Sequence, residues 1–264
     1  MNYKQMLRQN KMPHIWCPGC GHGMVLSAFL RALAQKELDP NNVAVISGIG
    51  CSSRASGYLD FNTLHTTHGR AIPFATGIKM AKPELKVIVL TGDGDSTAIG
   101  GNHLIHAARR NIDLTVIVFN NNIYGMTSGQ YSPLTPHMKL ATTAPYGNID
   151  YPFDLVNLAK GAGATFVARG ATSQPRPLEK LISQALDHDG FSLVEVVTQC
   201  PTYFGRKNKM GSPVDMLQWQ KENTSSSGKE GKIPLGVFVQ EERPEYGANY
   251  FQHAKKVAEG KSGE

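Results

Sequence analysis

Thr91-Gly92-Asp93-Gly94-Asp95-Ser96 and, further along the chain, Asn120-Asn121-Asn122-Ile123-Tyr124 are the two polar stretches from which the fold can be predicted. Each follows a short apolar run rich in β-branched residues, 86–90 and 114–119, which predicts a buried strand. Between the two strands, apolar residues recur at helical spacing: Ile99, Leu104, Ile105 and Ala108. Two parallel strands joined by a helix place both polar loops at the carboxyl edge of one sheet, where α/β folds bind ligands.

The same alternation of strands and helices continues on both sides of this unit. Further strands are predicted at 42–49, 165–168 and 192–197, and further helices at 25–33, 71–82, 153–160 and 177–186. This order predicts an α/β fold, a doubly wound parallel sheet with helices on both faces. The long irregular segment 124–149 is of a length that usually serves function.

The alternating pattern weakens after residue 203. Residues 223–232 have the composition of a flexible linker, residues 233–239 resemble a short strand, and residues 250–259 a weakly amphipathic helix. We therefore predict one domain over residues 1–205 and a C-terminal extension over 206–264.

The composition is that of a globular protein. Hydrophobic residues make up 41% of the 264 residues and charged residues 18%, which suffices for a full core. No apolar run has membrane-spanning length and the start lacks a signal-peptide core, so we expect a cytoplasmic protein that binds no membrane. The net charge of +6 is scattered, which favours ordinary surface charge over a nucleic-acid site.

The four cysteines are the second informative set: Cys17, Cys20, Cys51 and Cys200. In a cytoplasmic chain they are buried thiols or metal ligands rather than disulfides. The C-x-x-C pair alone is also compatible with a redox dithiol, half a zinc site, or chance. Cys51 follows the strand at 42–49, which places it at the same sheet edge as Asp93 and Asn121. His65 and His68 are expected to form hydrogen bonds rather than a zinc site.

The G-D-G stretch followed by Asn-Asn resembles the thiamine diphosphate motif. In that motif a Mg²⁺ ion, which requires hard oxygen ligands in an octahedron, holds the diphosphate. The resemblance implies three ligands here: the Asp93 carboxylate, the Asn121 side-chain oxygen and the Ile123 carbonyl. A nucleotide site or a plain turn is the alternative.

The cysteine motifs resemble those of one family, the β subunits of 2-oxoacid:ferredoxin oxidoreductases. C-P-G-C-G-H-G, G-I-G-C-S-S-R, H-T-T-H-G-R and Q-C-P-T occur in this order within residues 12–210. The resemblance implies that Cys17, Cys20, Cys51 and Cys200 hold a 4Fe-4S cluster beside the thiamine. The chemistry agrees, because tetrathiolate sites select zinc or iron–sulfur.

Carried over position by position, the resemblance also implies a cofactor pocket and a substrate contact. The pocket residues are Ile49, Gly50, Cys51, Ser52, His68, Gly92, Gly94, Asp95, Gly125 and Met126. His68 is expected to reach the diphosphate. Arg54 is expected to neutralise a substrate carboxylate, with a surface or structural role as the alternative.

The family's reaction is the oxidative decarboxylation of a 2-oxoacid with coenzyme A, giving an acyl-CoA and CO₂ while electrons pass through the cluster to ferredoxin. The resemblance favours 2-oxoglutarate as substrate. The glutamate that activates the thiamine, and much of the coenzyme A site, are expected on a separate α subunit, so this chain alone should be inactive. Two alternatives remain: half of a non-oxidative thiamine enzyme with structural or zinc-bound cysteines, and a non-catalytic iron–sulfur electron carrier.

Overall fold

A seven-stranded sheet organises the chain, as shown by a computed structural model that describes residues 3–260. The strands are β1 Val43–Ser47, β2 Asn62–His65, β3 Lys86–Gly92, β4 Leu114–Asn120, β5 Phe166–Ala171, β6 Phe191–Val197 and β9 Gly236–Gln240. Their order in the sheet is β2-β1-β3-β4-β6-β5-β9. Neighbouring strands are parallel except for β9, which runs antiparallel to β5 at one edge. Two short strands, β7 Thr224–Ser225 and β8 Ile233–Pro234, pair separately.

Helices cover both faces of the sheet. The longer ones are α1 His22–Ala34, α3 Ala71–Ala81, α5 Gly101–Arg109, α6 Leu155–Gly161, α7 Pro175–Asp187, α8 Pro213–Asn223 and α9 Tyr246–Ala258, and two short ones are α2 Ala55–Tyr58 and α4 Asp93–Thr97. On one face α1 and α7 pack on a core that includes Val45 and Ile88. On the other face α3, α5 and α6 pack on a core that includes Ile46 and Val89. Successive strand residues thus enter opposite cores, and the predicted doubly wound α/β fold is confirmed.

The crossover after β3 differs from the single helix that the spacing predicts. The chain forms α4, leaves helical geometry at Ala98, and begins α5 at Gly101. A Cβ atom on Gly100 would collide with the Asp95 carbonyl oxygen, so glycine permits this tight break. Two members of the predicted apolar stripe, Ile99 and Ile105, are consequently 54% and 36% exposed rather than buried.

Three other elements differ from the sequence prediction. The polar edge strand β2 and the helix α8 had not been predicted, and the last helix begins at Tyr246 rather than at residue 250. The predicted linker at 223–232 contains the end of α8 and the strand β7. None of the helices in the described part of the chain has the length and apolar character that a membrane crossing requires.

Candidate functional site

A cleft opens where the carboxyl ends of β1, β3 and β4 meet. It is lined by all the residues predicted for the cofactor and by the three predicted for magnesium: Ile49, Gly50, Cys51, Ser52, His68, Gly92, Asp93, Gly94, Asp95, Asn121, Ile123, Gly125 and Met126. The remaining lining residues are His22, Phe119, Tyr124 and Thr127. Parallel strands bring these loops together because their carboxyl ends share one edge.

Three oxygen atoms converge on the cleft floor. The side-chain oxygen of Asn121 lies 3.1 Å from Asp93 Oδ1 and 2.8 Å from the carbonyl oxygen of Ile123, with no hydrogen between them. Turning the amide over would replace this contact by two hydrogen bonds from its nitrogen. A cation would instead favour the oxygen. An octahedral Mg²⁺ with ligands at about 2.1 Å separates neighbouring ligand oxygens by about 3 Å, which matches both distances from the Asn121 oxygen. All three atoms are hard oxygen donors of the kind that this ion binds.

Asp93 is buried in this floor, with 3% of its surface exposed. Burial raises the pKa of Asp93 from 3.8 to about 7, although hydrogen bonds from Ser132 and from backbone amides act in the opposite direction. The Ser132 hydroxyl donates to Asp93 Oδ2 at 2.6 Å. None of the groups that shift the pKa of Asp93 is a cation. A bound cation would therefore stabilise the charged carboxylate.

Asp95 also lines the cleft, but its carboxylate binds within the protein. Oδ1 accepts hydrogen bonds from the backbone amides of Ile49 at 3.3 Å and Gly69 at 2.7 Å, and Oδ2 accepts one from the Thr91 hydroxyl at 2.7 Å. A Cβ atom on Gly48 would collide with this carboxylate. Asp95 therefore holds the loop after β1 against α4 and fixes the wall of the cleft.

The glycines of the G-D-G stretch make room for protein atoms. A Cβ atom on Gly94 would collide with the ring of Tyr124, and one on Gly92 would lie 2.7 Å from Ser52 Oγ. The Tyr124 hydroxyl donates to the Gly94 carbonyl at 3.1 Å. Because these glycines have no side chain, the loops after β1, β3 and β4 can approach one another closely. The sequence had suggested only that glycine lets the backbone approach an anion.

The two histidines of the H-T-T-H stretch differ in position. His65 ends β2, where its Nδ1 lies 3.0 Å from Ser47 Oγ, a structural contact. His68 faces the cleft, and its buried Nδ1 has no hydrogen-bond partner. That nitrogen lies 3.9 Å from Asp95 Oδ1. An imidazole with an unpaired nitrogen at a cleft wall is suited to bind an anionic group.

The four cysteines come from three segments that meet beside the cleft: Cys17 and Cys20 share one turn, and Cys51 and Cys200 lie on two other loops. A Cβ atom on Gly125 would lie 3.4 Å from Cys51 Sγ and 3.8 Å from Cys200 Sγ. The loops are joined by hydrogen bonds from Trp16 Nε1 to the Cys51 carbonyl at 2.6 Å and from the Gly21 amide to the Gln199 carbonyl at 3.1 Å. The sheet topology thus gathers residues that are far apart in sequence.

The thiols favour their protonated form. Burial, with smaller contributions from the neighbouring thiols, raises the pKa of Cys20 to about 12 and that of Cys51 to about 11. Burial also raises the pKa of Cys200. Within residues 3–260 no set of three or more His, Cys, Asp or Glu side chains stands close enough to hold a metal ion. Neutral thiols do not draw together by themselves, and a metal must displace their protons to bind. The donor set, four thiols on converging loops, fits an iron–sulfur cluster or zinc.

Arg54 lies outside the lining of the cleft. It follows Cys51 in a short 3₁₀ helix, with its amide donating to the Cys51 carbonyl at 3.3 Å. The side chain is exposed, and none of the ion pairs within the described residues includes it. The guanidinium is therefore available to a ligand.

Several residues that shape the site were not identified from the sequence. Ser132 gave no signal, because it lies in the long loop. His22 belongs to the quoted cysteine motif; it is buried between Trp16 and Phe119, and burial lowers its pKa to about 3. Arg169 and Glu195 also gave a signal that was overlooked: two opposite charges within apolar strands indicate a buried ion pair.

These two charges support the loop after β4. Arg169 Nε donates to Glu195 Oε2 at 2.7 Å, and Asn120 Nδ2 donates to Glu195 Oε1 at 2.7 Å. Asn120 Oδ1 in turn accepts from the Asn122 amide at 3.1 Å. Asn122 has a left-handed backbone (φ 61°), so this side-chain bond helps to hold the turn that presents Asn121 and Ile123.

Comparison with known proteins agrees with this geometry. Residues 39–196 match the family described as thiamine pyrophosphate enzyme, C-terminal TPP binding domain. The chain is 52% identical over 252 residues to the 2-oxoglutarate synthase subunit KorB of Methanothermobacter marburgensis, covering 92% of this chain and 88% of that protein. It is 53% identical over 249 residues to the subunit of the same name from Methanocaldococcus jannaschii, covering 91% and 92%.

A solved structure has the same fold over almost the whole chain. It is the 2-oxoglutarate:ferredoxin oxidoreductase from Magnetococcus marinus with 2-oxoglutarate, coenzyme A and succinyl-CoA bound. The TM-score is 0.90 at 34% identity, and the match covers 98% of this chain and 91% of the other.

Proposed function

Because the chain belongs to the β subunits of the 2-oxoacid:ferredoxin oxidoreductases, we propose that it forms the diphosphate-binding and electron-accepting half of such an enzyme. The substrate proposed is 2-oxoglutarate, with coenzyme A as acyl acceptor and ferredoxin as electron acceptor. The observation that carries the proposal is the convergence of three oxygens on the cleft floor, beside two cysteine sulfurs.

The proposed magnesium ligands are Asp93, Asn121 and Ile123. Their spacing supports this role, and Ser132 and Asn120 hold the ligand-bearing loops in place. His68 would donate to the diphosphate from its imidazole ring, which lines the cleft. The apolar side chains of Ile49 and Met126, which are 39% and 44% exposed, would cover part of the thiamine.

The proposed cluster ligands are Cys17, Cys20, Cys51 and Cys200. When bound, thiamine diphosphate supplies an electron sink for the carbon that loses CO₂, and an iron–sulfur cluster accepts the electrons. Cys51 lines the cleft itself, so no other residue needs to lie between the two groups. Zinc would fit the same donors but could not accept electrons.

A second chain must supply the group that activates the cofactor. The only carboxylates that line the described cleft are those of Asp93 and Asp95. Asp95 is hydrogen-bonded within the protein, and Asp93 faces the oxygen cluster. The activating glutamate is therefore proposed to come from the α subunit, and the isolated chain is expected to be inactive.

The test is an anaerobic preparation of the two-subunit complex. It should be brown, should retain thiamine diphosphate, and should reduce ferredoxin with coenzyme A and 2-oxoglutarate faster than with pyruvate or a branched 2-oxoacid. A colourless complex that retains thiamine would instead support a non-oxidative enzyme. A brown complex without thiamine would support an electron carrier.

Arg54 is proposed to bind a carboxylate of the substrate, because its exposed guanidinium has no ion-pair partner in the described chain. A hydrogen bond to a charged group contributes about 1.5–3 kcal/mol, so Arg54→Ala should lower kcat/KM for 2-oxoglutarate about 10- to 150-fold. Arg54→Lys should recover part of the loss. Arg109→Ala, an exposed position on α5, is the control. Unchanged kinetics for Arg54→Ala would exclude the role.

A further inference from the structure

Residues 131–153, in the long segment between β4 and α6, expose an unusual number of large apolar side chains. Five of them form what we call the aromatic patch: Met138 (57% exposed), Tyr146 (93%), Ile149 (77%), Tyr151 (87%) and Phe153 (52%). Exposed apolar residues scattered singly are ordinary, but a group of this size in one loop is characteristic of a protein interface.

The patch is one surface rather than five separate residues. The Met138 amide donates to the Asn148 carbonyl at 2.7 Å, and the Asn148 amide donates to the Lys139 carbonyl at 2.9 Å, so the two arms of the loop are paired. The rings of His137 and Tyr151 are stacked, with centroids 5.0 Å apart and an interplanar angle of 4°. The patch residues therefore lie on a single paired segment.

The loop is held rigidly by hydrogen bonds although its apolar side chains are exposed. Asn148 is 3% exposed, and its Nδ2 donates to the Thr135 carbonyl at 2.8 Å. The Phe153 amide donates to the Pro133 carbonyl at 2.9 Å. A preformed surface with exposed aromatic residues binds a partner at a small cost in conformational entropy, and aromatic side chains dominate the energy of such interfaces.

The same loop is bonded to the floor of the cleft. Ser132 donates to Asp93 Oδ2 at 2.6 Å, and Thr135 Oγ1 donates to the Asn122 carbonyl at 2.6 Å. Asn148 thus joins the patch to Thr135, and Thr135 joins it to the turn that carries Asn121 and Ile123. Further back along the same segment, Gly125, Met126 and Thr127 line the cleft. A chain seated on the patch would therefore border the cofactor site.

We propose that the aromatic patch is the docking surface for the subunit that completes the cofactor site. The inference rests on the proposed function for the identity of this partner, since the cleft requires a carboxylate that the chain does not supply. A second exposed aromatic group, Tyr250 and Phe251 on α9, lies on an element in which only Gly247 is buried. Within residues 3–260, no hydrogen bond connects α9 to the residues that line the cleft, so this pair provides a matched control.

The experiment uses the full chain and the large pyrimidine-binding subunit of the same enzyme, each purified, with their dissociation constant measured by calorimetry. The triple variant Tyr146→Ser, Ile149→Ser and Tyr151→Ser should weaken the complex by at least about 100-fold, because interface aromatics each contribute tens-fold. The control variant Tyr250→Ser with Phe251→Ser should change affinity less than about threefold.

Two further measurements separate docking from folding and chemistry. The triple variant should unfold at the wild-type temperature, because its altered side chains are exposed. When the partner is added above the new dissociation constant, kcat should return to the wild-type value, since none of the three residues lines the cleft. A purely structural defect would lower kcat at every partner concentration.

The inference is overturned if the triple variant binds the partner with wild-type affinity, or if the α9 control loses as much affinity. It is also overturned if the isolated chain is a dimer that the triple variant dissociates while partner affinity holds, because the patch would then bind a second copy. A wild-type complex that forms through the patch but decarboxylates no 2-oxoacid would refute the proposed reaction and leave the docking surface standing.

Discussion

Asp93 combines two properties that conflict in a protein without a cofactor. It is almost completely buried, and its Oδ1 lies 3.1 Å from another oxygen, that of the Asn121 side chain. Its pKa of about 7 expresses this conflict, because the buried carboxyl group holds its proton to a higher pH than a free one. A bound Mg²⁺ would remove the conflict by stabilising the charged form. Folding stability and metal binding are thus linked at this residue.

The linkage predicts a pH-dependent stability for the metal-free chain. The pKa of Asp93 is raised on folding from 3.8 to about 7. Protonation of Asp93 therefore stabilises the folded chain fully below about pH 4, and this stabilisation is lost as the pH rises to about 7. Each pKa unit corresponds to about 1.4 kcal/mol, which sets an upper value of about 4 kcal/mol. Denaturant unfolding from pH 4 to pH 8 should show this loss for the wild type and not for Asp93→Asn.

The comparison with Asp93→Asn also removes the contribution of His22. The pKa of His22 is lowered on folding to about 3, so its contribution is present above pH 6.5 and is lost as the pH falls. The contribution of His22 to stability thus changes with pH in the opposite direction to that of Asp93, and it is the same in the wild type and in Asp93→Asn. Adding Mg²⁺ with thiamine diphosphate at pH 7.5 should stabilise the wild type and not the variant. Two parallel stability curves would contradict the prediction.

The sequence identified the residues that line the cleft but not the residues that hold them in place. The residues that line the cleft could be identified because the motif places Asp93 and Asn121 directly after two strands. The supporting contacts of Ser132, Asn120 and Glu195 depend on side chains that meet only after folding. No spacing rule connects Ser132 to Asp93, which it contacts across an irregular loop.

At the scale of elements, β5 and β6 carry a buried ion pair that supports the loop after β4. Arg169 and Glu195 are 7% and 3% exposed, and Arg169 also donates to Asp154 Oδ1 at 2.9 Å. Burial lowers the pKa of Arg169, but the charges of Glu195 and Asp154 outweigh this and raise it overall. Arg169 therefore keeps its charge within the sheet, and Glu195 is the buried carboxylate that it contacts.

Glu195→Gln should destabilise the protein by about 3 kcal/mol, because it leaves the buried Arg169 charge with only the half-exposed carboxylate of Asp154 as partner. Adding Arg169→Met should recover most of this loss, since the poorly compensated buried charge is removed. The control is Glu179→Gln on α7, whose partner Arg31 is one-third exposed, with an expected cost below about 1 kcal/mol. Denaturant unfolding measures all three, and similar costs at Glu195 and Glu179 would exclude a special role for the buried pair.

The missed helix α8 shows which local signals count. Its start carries a capping box, in which the Ser212 hydroxyl and the Asp215 side chain bond each other's backbone amides. The sequence Ser212-Pro213-Val214-Asp215 contains this signal. Apolar periodicity, which predicted the other helices, is weak in α8, where only Met216 and Gln220 are buried. The edge strand β2 had neither signal, because three of its four residues are polar.

At the scale of the whole molecule, the C-terminal residues contribute to the same sheet as the rest. The strand β9 pairs with β5, and the carbonyl oxygens of Arg243 and Pro244 accept hydrogen bonds from the buried Asn111. Gln220 of α8 accepts a hydrogen bond from Thr172 at 3.0 Å. The alternation of strands and helices predicted the central sheet correctly, and residues 233–239 resembled a strand. The pattern could not predict that this last strand joins the same sheet, antiparallel to β5 at one edge.

Removal of residues 206–264 should leave a protein that aggregates, because β5 would become an unpaired edge and buried polar groups such as Asn111 would lose partners. Truncation after Pro244, which removes α9 but keeps β9, should change the free energy of unfolding by less than about 1 kcal/mol. Solubility and denaturant unfolding test both variants. A soluble, cooperatively folding chain of residues 1–205 would instead support the predicted domain boundary.

The unequal exposure of the four cysteines determines where air would attack the protein. Cys17 is exposed, Cys20 and Cys51 are partly covered, and Cys200 is buried. Oxidation of cysteine follows exposure as well as thiolate character. Molecular oxygen would therefore meet the proposed cluster at its Cys17 corner, and loss of iron would begin there. A cluster held by these cysteines would be most open to an electron carrier on this same side, so we expect the loaded protein to lose its cluster in air and to keep it under anaerobic conditions.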